Sequence, residues 1–219
     1  PTFGSVSTKG FMTLSWSMDK VGPICRSARD CAIVYNYIKE TKPDASLINF
    51  DLQTKNLKIG YLSSLFKEDT SRYSSNNNKT LEIVKLKYNL EKLSLPHNFP
   101  FSVFDIILRS EAGAFFDDFL LKNLDSSMVE QGERSRANSL RQSRLIPAVE
   151  YIQANRHREV LVNDIKVLFK NFDVILSPSF GKNQILITNL TGHPVVSVPN
   201  GLDEKGRPTS ISVIGNHGA

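Results

Sequence analysis

The chain has 219 residues, 40% of them hydrophobic and 22% charged, which suffices for one buried core and excludes a collagen-like or wholly disordered polypeptide. Its 27 Lys+Arg against 22 Asp+Glu give a net charge of +5; Gln131–Lys170 alone holds eight basic and four acidic residues, so the excess is local and reads as a solvated helix face rather than a nucleic-acid or lipid surface. Two cysteines, Cys25 and Cys31, make neither a disulfide framework nor a common metal spacing and read as reduced, buried thiols, while His97, His157, His193 and His217 are scattered, so no metal site is expected.

Residues 1–21 mix Gly, Ser and Thr with single large side chains and read as ordered loop. Ser27 followed by Asp30 resembles a capping box, and Ala28, Cys31, Ala32, Tyr35 and Ile38 fall on one helical face, which predicts a helix over Ser27–Glu40 with Cys31 and Ala32 in the core. Leu57–Leu62 alternates as a strand does. The polar stretch Lys67–Lys79 reads as a surface loop, and a helix is expected from Thr80 to about Leu93, stopped by Pro96. A further helix is expected over about Phe104–Lys122, then a polar, aperiodic stretch Asp125–Ser143.

A long helix begins near Pro147, a residue suited to a first turn, and runs to about Phe169. Phe172–Leu176, Val195–Val198 and Thr209–Ile214 read as strands, the last two forming a hairpin. The uncharged run Asn183–Leu202 has the length of a membrane span, but its Asn, Gln, His and Pro residues make it buried loop and strand instead. Alternating strands and helices with a terminal hairpin predict an α/β fold whose central mixed sheet is parallel in part, antiparallel near its end, and covered by helices on both faces. No internal repeat or linker divides the chain, and no targeting segment is visible.

Familiar chemical signatures do not occur. There is no glycine-rich phosphate loop of either common type, and Gly4-Ser5-Val6-Ser7-Thr8 lacks the closing glycine of a nucleophile elbow. Asp117 and Asp118 are helix neighbours about 100° apart and do not converge on one proton.

What stands out is a set of ordered strings: Pro1-Thr2-Phe3-Gly4, then Leu14-Ser15-Trp16-Ser17-Met18-Asp19, then Val21-Gly22-Pro23 with Arg26 and Asp30. Farther on come Ile146-Pro147-Ala148-Val149-Glu150-Tyr151 with Asn155, Arg156 and Arg158, then Phe172-Asp173-Val174-Ile175-Leu176-Ser177-Pro178, and Asn189-Leu190-Thr191-Gly192-His193-Pro194 running to Pro199. In this order they resemble the amidase signature family, and Phe180-Gly181 through Asn183-Gln184 resembles a subgroup known simply as amidases. The resemblance implies hydrolysis or transfer of carboxamides by a serine nucleophile, a second serine in a cis peptide linkage, and a lysine kept neutral enough to take a proton, without metal or organic cofactor.

None of those catalytic strings occurs here, so the expectation is that residues 1–219 are the C-terminal part of a single amidase domain whose N-terminal catalytic part is not in this chain, and that the chain alone is inactive. No catalytic residue is assigned, and the substrate-binding residues stay unknown. Near-site candidates implied by the resemblance are Trp16, read as core; Asp19, read as orienting loops by accepting backbone hydrogen bonds; and Asn189, Gly192 and Pro194, read as setting a turn beside the pocket. Lys9 reads as a surface charge, Arg156 and Arg158 as a solvated helix end, and Arg26 as a partner of Asp30. The expected partners are a small amide substrate and the remainder of the domain, with no membrane span. Nucleic acid is involved only if the protein resembles the A subunit of a glutamine-dependent tRNA amidotransferase, an alternative to the simple amidase. A non-catalytic binding or scaffold homologue is a further alternative. The compartment stays open, with the cytoplasm favoured.

Overall fold

The computed structural model describes residues 1–44, 57–94, 99–179 and 184–218. Pro96 and the string Phe180–Asn183 lie outside the described residues.

Helix α1 (Ala28–Ile38) starts where the capping pattern places it: Ser27 Oγ accepts from Asp30 N at 3.1 Å. The Asp30 carboxylate takes the Ser27 hydroxyl at 2.8 Å. Cys31 and Ala32 are half-buried, not core, and Asn36 is the buried residue of this helix. Strand β1 (Ile59–Leu62) follows, then α2 (Ser63–Lys67), α3 (Ser74–Lys87) and β2 (Leu90–Leu93).

Two expectations fail here. Ser74–Lys79 is helix rather than loop, because its poor helix formers are satisfied from outside: Asn76 Nδ2 donates to Leu202 O and to Thr209 Oγ1, both at 2.8 Å, and Asn77 Oδ1 accepts from Asn200 Nδ2 at 2.9 Å. Leu90–Leu93 is a strand, not a helix end, because it pairs in parallel with β1 and buries Leu93.

Next come α4 (Val103–Phe115), α5 (Asp117–Leu121), a 3-10 turn at Leu124–Ser127, α6 (Arg136–Ser143) and α7 (Ala148–Leu168). The stretch read as aperiodic thus contains α6, capped by Ser135 Oγ accepting from Asn138 N at 3.2 Å and held by Ala137 and Leu140, which are buried. Strand β3 (Val174–Pro178), helix α8 (Gln184–Thr191) and the hairpin β4 (Val195–Leu202) and β5 (Pro208–Gly215) complete the chain. Helix α8 corrects the reading of this run as loop and strand. Its β-branched residues mimic a strand, but Thr188 and Thr191 return their hydroxyls to the carbonyls of Gln184 and Ile187 four residues back.

The sheet order is β2-β1-β3-β5-β4, parallel across β2, β1 and β3 and antiparallel across β3, β5 and β4. One face carries Leu62, Ile175 and Ile214 against α4, α7 and α8, with Ile107, Leu161 and Leu190 wholly buried. The other carries Tyr61, Leu176 and Ile211 against Phe66 of α2 and Leu81 of α3. Each buried aliphatic contributes about 1.5–3 kcal/mol. Gly60 leaves no room for a side chain on the first face, since a Cβ there would run into Leu93.

Helix α7 buries Ala154, Leu161 and Ile165 on one side, while Val149, Ile152, Val160 and Val167, on the opposite side, are each more than half exposed. Apolar residues on both sides are the pattern of a helix covered all round. Among the described residues no helix is long and apolar enough to cross a membrane.

Candidate active-site cleft

The Leu14–Lys20 loop is held from within and from below. Asp19 accepts from Leu14 N at 2.8 Å and from Ser15 N at 3.0 Å, which closes the loop on itself. Beneath it lies Glu111 of α4, a residue that no sequence string singled out. Its Oε2 accepts from Ser15 Oγ at 2.5 Å and Ser17 N at 3.0 Å, and its Oε1 from Ser17 Oγ at 2.7 Å and Tyr151 OH at 2.9 Å. Burial alone would raise this carboxyl's pKa; the hydrogen bonds outweigh it and hold the group below the ordinary glutamate value.

Arg158 completes the network. It lies within α7 rather than at a solvated end, and donates to Leu190 O at 2.5 Å and to Ser17 Oγ and Ser17 O, both at 2.6 Å. Arg158 therefore ties α7, the end of α8 and the loop together. Arg156 is exposed and bonds Gln153 at 3.2 Å. Trp16 is not core: it is 53% exposed and meets Phe115 edge-on, with ring centroids 6.1 Å apart.

The same loop ends in Lys20, also unremarked in the sequence. Its Nζ donates to Thr188 O at 3.0 Å and His193 O at 2.9 Å, and burial lowers its pKa to about 8. Helix α8 stops at Thr191 because Gly192 takes φ +75, the left-handed conformation that favours glycine, and Pro194 follows. Gly192 O accepts from Phe3 N at 2.9 Å, which fixes the first string against this turn. Asn189 stands in α8 itself, not in the turn, and lines the cleft described next. His193, in the turn, is buried and stacked between Phe169 and His217, at centroid distances of 4.9 and 4.0 Å.

On the sheet face that carries Ile175 and Ile214, the next positions along β3 and β5 change from aliphatic to hydroxyl. Ser177 stands opposite Ser212, and Ser197 of β4 is the partner of Ser212 on its other side. Ser210 and Ser212 both donate to Ser179 Oγ at 3.1 Å. This row lies at the carboxyl end of β3, where open α/β sheets bind ligands. Ser179, Ser197, Ser210 and Ser212 of it floor a cleft of about 480 Å³ with Pro1, Lys20, Gln184, Thr188 and Asn189 around them.

A second cleft, of about 520 Å³, is lined by Trp16, Glu111, Arg144 and Tyr151. Glu111 there already accepts four hydrogen bonds, so little of its carboxylate is left for a ligand. In the first cleft Lys20 has spent two of its three N–H groups, and the serine row offers hydroxyls. Among the described residues no group of three or more His, Cys, Asp or Glu converges as metal ligands would. The two cysteines are free and half-buried.

A sequence profile of the family described as Amidase matches residues 1–188. The chain belongs to the Amidase family. The A subunit of glutamyl-tRNA(Gln) amidotransferase from Archaeoglobus fulgidus is 26% identical over 99% of this chain and 56% of its own length, and that from Halalkalibacterium halodurans 27% identical over 99% and 55%. The chain thus spans about half the length of the curated relatives it matches. A crystal structure of an amidase superimposes with TM-score 0.80 at 20% identity, covering 100% of this chain and 54% of the other. Native peptide amidase from Stenotrophomonas maltophilia gives 0.71 at 18%, covering 99% and 53%. The fold is therefore the amidase fold over the described residues, with the mixed sheet and two-sided helix cover that the amino-acid pattern implies.

Proposed function

We propose that this chain is one part of a larger amidase domain that cleaves carboxamide C–N bonds, and that the cleft at the carboxyl end of β3 is its contribution to the substrate site. The observation that carries the reading is the family match, whose span includes Pro1, Lys20, Ser179, Gln184 and Thr188 around that cleft. The length of the relatives and the uncovered apolar side of α7 support a larger domain, since the missing half would cover such a side.

In this reading the serine nucleophile, bridging serine and proton-accepting lysine come from the part of the domain outside these residues. The nucleophile attacks the amide carbon, the C–N bond breaks with a proton passing to the leaving nitrogen, and water then hydrolyses the acyl-enzyme. The residues present hold the frame: Asp19 and Glu111 fix the loop, Lys20 pins it to α8, and the serine row lines the polar side of the pocket. Trp16, Asn189, Gly192 and Pro194 act as near-site structure rather than as reacting groups.

The experiment is ammonia release by the full-length protein from simple carboxamides and from glutamine, each alone. Release from simple carboxamides is the expected result. The names of the relatives favour a second reading, an amidotransferase component that uses glutamine only together with partner proteins and tRNA. Ammonia from glutamine only when partners are added would select it. No release under either condition would leave a binding or scaffold protein and overturn the proposal.

A further inference from the structure

Lys20 is a half-buried cation held at the wall of the serine cleft by backbone carbonyls. Its Nζ meets Thr188 O and His193 O at 3.0 and 2.9 Å, at the carboxyl end of α8, where the partial negative charge of a helix terminus suits an ammonium. Asp19, its neighbour in the chain, turns its two carboxylate oxygens to Leu14 N and Ser15 N instead. Burial lowers the Lys20 pKa to about 8, so the side chain still carries its charge at neutral pH. Two of its three N–H groups are used on the carbonyls, and the third is left to the cleft that Lys20 lines.

The floor leaves a donor over by count. Ser179, Ser210 and Ser212 carry three hydroxyl hydrogens and share two hydrogen bonds, both to Ser179 Oγ at 3.1 Å, so one hydrogen remains whichever way those bonds run. The Asn189 amide, on α8, adds N–H groups to the same lining. No Asp or Glu is among the described residues that line it. Ammonium, hydroxyl and amide donors around one cleft of about 480 Å³ suit a ligand group that accepts and carries negative charge. A carboxylate, with two oxygens and about four lone-pair sites, takes N–H and O–H groups together.

We propose that this cleft receives a carboxylate borne by the acyl part of the amide substrate, with Lys20 as the residue that selects it. The inference rests on the reading of the chain as part of an amidase and names the substrate class, acid amides in preference to neutral ones. Lys20 acts here in specificity and takes no part in bond cleavage. An ammonium partly shut off from water attracts a carboxylate more strongly than an exposed one, and its two backbone bonds fix it before substrate arrives, so little side-chain entropy is lost on binding.

The test uses the full-length protein with succinamate and glutaramate against butyramide and valeramide, the neutral amides of equal carbon number. A higher kcat/KM for the acid amides is expected. Lys20→Gln, which keeps N–H groups for the two carbonyls and loses the charge, is expected to lower the acid-to-neutral ratio by about tenfold or more, the weight of one hydrogen bond to a charged group. Lys20→Arg, which keeps the charge, is expected to retain more of that ratio than Lys20→Gln. No preference for acid amides in the parent, or equal losses on both kinds of substrate, overturns the proposal. Calorimetric binding of succinate separates this failure from failure of the amidase reading. If no amide is cleaved, succinate bound by the parent and about tenfold more weakly by Lys20→Gln still supports the carboxylate site. No binding, as when a carboxylate from outside residues 1–219 already sits on Lys20, or equal binding by both proteins, overturns it.

Discussion

Glu111 and Ser15 lie 96 positions apart in sequence and meet through a 2.5 Å hydrogen bond between Oε2 and Oγ. That contact anchors the Leu14–Lys20 loop to α4, and the same carboxylate serves Ser17 and Tyr151. Hydrogen bonds to a charged acceptor contribute about 1.5–3 kcal/mol each when buried, and such networks are not additive. Glu111→Ala is expected to cost at least about 3 kcal/mol in urea unfolding of the full-length protein, and Glu111→Gln, which keeps the shape and loses the charge, clearly less. Equal losses in the two variants would show that the charge is immaterial.

Lys20 and His193 give stability two pH-dependent ramps. The folded chain releases the Lys20 proton near pH 8, whereas the unfolded chain holds it to about 10.5. Between those values the unfolded state binds more protons, so this group makes stability rise with pH. His193 titrates near 4 when folded and 6.5 when unfolded, so its contribution falls as pH drops from 6.5 to 4. Unfolding curves at pH 8, 9 and 10 should rise less steeply with pH for Lys20→Met than for the parent, and curves between pH 6.5 and 4 should fall less steeply for His193→Phe. Parallel curves for parent and variant would contradict the assignment.

Gly192 combines a φ of +75 with a close approach, since a Cβ there would lie 2.9 Å from Phe3 Cβ. Gly192→Ala is expected to cost about 1–2 kcal/mol from backbone strain alone and more from the displaced Phe3. Gly206, with φ +72 and nothing near a built Cβ, is the control: its alanine variant should show the strain term only. Thermal melts of both variants separate the two contributions.

Val149, Ile152, Val160 and Val167 lie on one side of α7, each more than half exposed, with the polar Arg156 and Asn163 between them. The 219-residue chain expressed by itself is expected to self-associate, and Val149→Lys with Val160→Glu to reduce that association without loss of secondary structure. Sedimentation velocity reads the difference. A monodisperse parent chain would argue that nothing needs to cover this side.

Much of the architecture was legible because period and turn chemistry carry it. The strand at Leu57–Leu62, the helix from Pro147 and the C-terminal hairpin all stand where their patterns put them. Among the elements missed, the start of α3 and β2 are decided by partners far away in sequence, Asn76 and Asn77 by the hairpin and Leu90–Leu93 by β1, whereas α6 and α8 are held by local bonds, the Ser135 cap and the Thr188 and Thr191 hydroxyls, within stretches whose composition masks them. The site was harder. Asp19 accepts its two backbone hydrogen bonds from within its own string, but Glu111, Lys20 and the Ser179–Ser210–Ser212 row draw their meaning from contacts across up to 173 positions, which no local spacing encodes. His193 and His217 stand just outside the two ends of the β4–β5 hairpin, whose register brings their rings together.

The partnership of β1 with β3 brings Lys58 to Asp173, 115 residues on, where Lys58 O accepts from Asp173 N and Lys58 N bonds the Asp173 carboxylate. Closing so long a span sacrifices chain entropy before any pairing rewards it, whereas β4 and β5 need only a short turn. Assembly should therefore run backwards along the molecule, with the C-terminal ribbon protected from hydrogen exchange first and the β1 seam sealed last, an order that pulse labelling during refolding would reveal.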